Sequence, residues 1–146
     1  MIRLAFAMSL LAAPAAAQQV LPCDNAPAES IAEPWEENIA AYAEGAIRIA
    51  VLDMIEPAGG ALKLLVLSPP RDEVGYRQCR VVQAGNGLGF YNLRFSDRQA
   101  SYDPARGFTL TMPAQDYLPD DPDDGWYQLS LTINQQTGEI AVQGAK

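Results

Sequence analysis

Histidine is missing from all 146 residues. That absence removes imidazole general bases, Ser-His-Asp triads, Cys-His pairs and His-ligated zinc from the chemistry open to this chain. Cysteine is nearly as scarce: Cys23 and Cys79 are the only two. If both are oxidised, one pairing exists and no thiolate is left for catalysis. Positive charge is thin as well, with ten Lys and Arg against eighteen Asp and Glu and a formal charge of −8. Nucleic acid and anionic membrane surfaces reward clustered Lys and Arg, so neither is an expected partner.

The chain opens with a short positive start, Met1-Ile2-Arg3. An uncharged apolar run from Leu4 to Ala13 follows, and then the small-residue site Ala15-Ala16-Ala17. Residues 1–17 therefore read as a signal peptide, with Gln18 the first mature residue. The run is too short and too rich in alanine to remain as a spanning helix, so no stable membrane anchor is expected after cleavage. Pro22 directly before Cys23 argues against a lipid-anchored cysteine. A periplasmic or secreted location is expected, and an oxidising compartment favours a Cys23–Cys79 disulfide over two free thiols. Closing so long a loop restricts the unfolded chain by on the order of 4 kcal/mol in the loop-entropy account.

The remainder is one domain's worth of chain. Residues 18–28 hold two prolines and no periodicity and read as an extended lead-in; residues 29–146 read as a single mainly-β domain. Ile31, Trp35, Ile39 and Tyr42 recur at spacings of four, four and three, which predicts a helix over 34–44. Pro34 suits its first turn, Glu33, Glu36 and Glu37 suit its positive end, and Gly45 stops it. From Ala46 the period changes to two. Ile47, Ile49 and Val51 form one stripe, and Leu62 to Leu67 is a near-continuous apolar strand expected to be covered on both faces. Ser68-Pro69-Pro70 is expected to end it. Val74 to Gln83 and Gly89 to Phe95 follow as strands around an Ala84-Gly85-Asn86-Gly87 hairpin turn.

Two later hairpins share a design, Ala100–Tyr102 with Phe108–Met112 and Leu129–Ile133 with Glu139–Val142. In each, a glycine closes the loop. Tyr127, Leu129, Leu131 and Ile133 alternate with polar residues, which predicts one dry and one wet face. The whole reads as mainly β, an antiparallel meander of about seven strands with one N-terminal helix. A small barrel and a sandwich both fit, with the barrel the nearer expectation. The last hairpin, around Asn-Gln-Gln-Thr-Gly-Glu, resembles the ending of PepSY-type secreted modules. The helix and strands before it do not match, and no residue role is carried over.

Without histidine or free thiol, an enzyme here would rest on carboxylates. Asp53 and Glu56, at the end of the first long strand, are the candidate pair for polysaccharide hydrolysis, weighed against plain turn roles. The acidic loop with Asp120, Asp121, Asp123 and Asp124 has a composition calcium favours, although Pro122 breaks an EF-hand pattern. Arg77, Arg80 and Arg94 are candidates for binding an anion, since guanidinium forks fit carboxylates and phosphates. No catalytic residue, resident metal or cofactor is assigned. The expectation is a non-catalytic binding module for another periplasmic protein or an envelope component. A carboxylate-dependent hydrolase on envelope polysaccharide and a calcium-stabilised domain are the alternatives.

Overall fold

A computed structural model describes residues 17–24, 26–85 and 87–145. Ten strands among them form two antiparallel sheets of five. The first sheet runs, edge to edge, β1 (Gln19–Pro22), β5 (Arg77–Gln83), β4 (Leu62–Arg71), β3 (Ile47–Asp53) and β2 (Ile39–Tyr42). The second runs β10 (Ile140–Ala145), β9 (Trp126–Ile133) and β8 (Gly107–Gln115). The far side of β8 is shared by β6 (Asn92–Leu93) and β7 (Gln99–Asp103).

One core lies between the sheets. Ile47, Ile49 and Val51 of β3 and Leu64 and Val66 of β4 belong to the same buried cluster as Leu110 and Met112 of β8 and Leu129, Leu131 and Ile133 of β9. The period-two alternation puts these residues on the inward faces, and burying them supplies the main stabilising term. Two sheets closed over one core make a sandwich, not the barrel that the sequence favoured. The local alternation is the same in both.

The outward face of the first sheet is covered too. Ala50 and Leu52 point away from the shared core yet are buried. The N-terminal segment crosses over them: Ile31 bridges Leu52, and the Ala32 amide donates to the Val51 carbonyl at 2.9 Å. Cys23 and Cys79 are disulfide-bonded, with Cα atoms 5.6 Å apart, which fastens this segment to β5. The double-sided burial expected of the Leu62–Leu67 run is met only in part: Leu64 and Val66 are buried in the core, while Lys63, Leu65 and Leu67 on the other face are half-buried.

Three local expectations are corrected. The helix is a single turn, α1 (Trp35–Asn38), because Ile39–Tyr42 pairs with β3 instead. So short a helix is marginal alone, and a free strand edge offers four residues a full ladder of hydrogen bonds. Ser68-Pro69-Pro70 does not end β4. The strand absorbs the prolines in a register shift between Ser68 and Arg71 and resumes pairing at Arg71–Arg77. Asn86, centre of the expected hairpin, lies outside the described residues. β5 and β6, before and after it, belong to different sheets, so they do not form the expected hairpin.

Candidate functional site

The wet face expected of the 126–133 strand opens onto a groove of about 660 Å³ over the outward side of the second sheet. Strand register builds its floor. Ser101, Thr109, Thr132 and Ala141 form one row across β7, β8, β9 and β10, and Ser130 and Gln143 of the next row line it too, while their row-mates Gln99 and Thr111 lie outside the lining. Directly opposed side chains on such a face stand roughly 5 Å apart. The Thr109 and Thr132 hydroxyls are accordingly in contact at 3.0 Å. The result is a grid of small hydroxyl and amide groups, flat enough for a ligand to lie along it.

The rim is supplied by the two matching turns. Asp103 accepts the Ala105 and Arg106 amides at 2.7 and 3.1 Å, and Asn134 accepts those of Gln136 and Thr137 at 3.0 and 3.1 Å. Gly107 and Gly138 close these turns at φ of 102° and 79°, where a side chain would be strained. The side chains of Arg106, Glu139 and Gln143 border the groove without an intramolecular hydrogen bond among the described residues. Tyr102, 66 % exposed, borders the groove from the edge strand, but its pairing with Phe108 sets it on the other face of β7 from Ser101. Hydrolysis by paired carboxylates needs two free ones facing each other. Of the two on this rim, Asp103 is committed to its turn.

The residues singled out from sequence are dispersed. Asp53 and Glu56 are both exposed, and Asp53 accepts the Ile55 amide at 2.8 Å as a turn residue does. Asp120, Asp121, Asp123 and Asp124 are exposed. Among the described residues no three His, Cys, Asp or Glu side chains gather in a way that could hold a metal ion. Their loop is organised by Gln115, whose amide nitrogen donates to the Pro122 and Asp124 carbonyls while its oxygen accepts from Asn92 at 2.6 Å.

Arg77 and Arg80 fall on opposite faces of β5, and Arg80 donates to the Cys79 carbonyl at 2.7 Å. Arg94 follows β6 in the other sheet, its guanidinium 4.3 Å over the Trp126 ring. Beneath the sheet, burial and then the neighbouring Asp116 carboxylate push the Tyr127 hydroxyl well above the ordinary tyrosine range; that hydroxyl donates to Asp116 at 3.0 Å. The groove floor was legible as a wet face, from Thr109-x-Thr111 and Ser130-x-Thr132. What the sequence does not disclose is that the two segments are adjacent.

Comparison with protein-family models, curated proteins and solved structures finds no match to this chain. The groove must be read from its own chemistry. No described helix is long and apolar enough to cross a membrane.

Proposed function

We propose that this chain is an exported, non-catalytic binding module whose groove on the second sheet takes a glycan of the cell envelope. The hydroxyl and amide grid of the groove floor carries this reading. Sugars present many donors and acceptors at short intervals, and rows of Ser, Thr and Gln can meet them without burying charge. The free groups of Arg106, Glu139 and Gln143 add orienting contacts at the rim. A protein partner would be better served by a patch with an aromatic and aliphatic centre, which this floor lacks. The leader-like start and the disulfide support export.

The test is a titration of isotope-labelled protein with chitotetraose, and separately with solubilised peptidoglycan fragments, followed by amide chemical shifts. Perturbations should cluster at Ser101, Thr109, Ser130 and Thr132 and weaken in Thr132→Val. Spectra unchanged at millimolar concentrations of both sugars would remove the glycan assignment.

A further inference from the structure

Three guanidiniums gather at one end of the first sheet, away from the glycan groove. Arg71 and Arg77 are direct cross-strand partners at the β4–β5 turn, and Arg48 stands at the start of β3. Arg77 donates its Nη2 to the Gly45 carbonyl at 3.1 Å. The Arg48 Nη2 lies 3.9 Å from the point where a Cβ on Gly45 would stand. Two of the three side chains therefore converge on the β2–β3 turn. In that turn Ala43 and Glu44 adopt φ of 51° and 54°, a conformation that side-chain-bearing residues avoid.

These positive groups are not neutralised internally. Arg71 spends a donor on the Gly75 carbonyl at 2.6 Å, and none of the three is ion-paired among the described residues. The Asp72 carboxylate is occupied by the amides of Val74, Gly75 and Tyr76, at 3.0, 2.8 and 2.8 Å. Glu44 and Glu73 are exposed at the turn tips. Burial, followed by Arg71 and Arg48, holds the Arg77 guanidinium below its usual range, which places all three in one electrostatic neighbourhood. A chain with a formal charge of −8 has carboxylates to spare, and uses none of them here.

We propose that Arg48, Arg71 and Arg77 form a receptor for a phosphate group, carried by a soluble molecule or a lipid headgroup. A multivalent tetrahedral oxyanion offers several acceptor oxygens to several forks at once, whereas a single planar carboxylate satisfies one. Val74 and Tyr76, 82 % and 72 % exposed on the turn between Arg71 and Arg77, would meet the surface that bears a lipid-borne phosphate.

The experiment follows the amide shifts and thermal midpoint of the whole chain with inorganic phosphate, using sodium chloride at equal ionic strength as reference. A parallel arm measures co-sedimentation with phosphatidylglycerol vesicles against phosphatidylcholine vesicles. Saturable shifts at Gly45, Gly75 and Arg77 with phosphate support a soluble ligand. Selective sedimentation with phosphatidylglycerol supports a lipid one. Either response should weaken about tenfold or more in R48Q/R71Q, since a lost charge-assisted contact is of that size. Both side chains are exposed, so the variant should keep its midpoint in chloride. Phosphate acting no differently from chloride, together with equal sedimentation on both vesicles, would overturn the proposal.

Discussion

Gln115 shows how much one buried amide can organise. At 2 % exposure it sits at the end of β8 and ties Asn92 on one side to the acidic loop on the other. Q115L should cost roughly 2–4 kcal/mol, because loop carbonyls and the Asn92 amide lose their partner together. Urea unfolding would measure it, and a loss under about 0.5 kcal/mol would show that water substitutes for the amide. Tyr127 makes a pH prediction. Its folded pKa is raised, mainly by burial, so the native state keeps a proton that the unfolded state releases above about pH 10. Stability is unaffected below that pH and falls as pH rises beyond it. In an absorbance titration one of the six tyrosines should ionise only with unfolding, and Y127F should flatten the alkaline loss. Tyr127 was legible on the dry face of its strand; Gln115 was not, being one polar side chain at a strand end whose burial depends on what packs above it.

At the scale of elements, the turns were more legible than the pairings. Gly107 and Gly138 were expected to close the two late hairpins, and both hold positive φ. A Cβ on Gly138 would also stand 2.6 Å from Pro70 Cδ, on a strand of the other sheet. G138A should therefore lose about 1–3 kcal/mol, from backbone strain plus that contact; a thermal midpoint unchanged from the native chain would show that the turn relaxes freely. The helix expected over 34–44 illustrates the opposite case. Trp35, Ile39 and Tyr42 do recur at helical spacing, but Tyr42 at the end of β2 packs on Phe108 with ring centroids 4.7 Å apart. Tyr42 reaches that partner as a strand residue on the inward face. Tertiary packing overrode a weak local preference.

Across the whole molecule, the disulfide links the crossing N-terminal segment to the sheet it covers. The bridge spans 56 residues of chain, so C23S/C79S should lose about 3–4 kcal/mol, chiefly by freeing the unfolded state. Hydrogen exchange should then rise first at Ala32 and β1, with β8 and β9 still protected. Uniform deprotection would mean that the segment and the sandwich unfold as one unit. The same layering separates the two proposed sites. The glycan groove lies on the outward face of the second sheet, and the arginine cluster at one end of the first. Sequence reading grouped Arg77 with Arg80 and Arg94, which are close in the chain; Arg48 and Arg71 joined Arg77 only through strand pairing.

Composition and order along the chain were enough to establish β structure, the late hairpins and the one possible cystine. These depend on backbone alternation, turn stereochemistry and cysteine count, which are local or countable. Folding alone decided that the strands divide into two sheets, that β5 and β6 fall in different ones, and which hydroxyls and guanidiniums become neighbours. Such neighbours are set by which apolar faces meet across the core, and a repeat of two is equally compatible with many meetings.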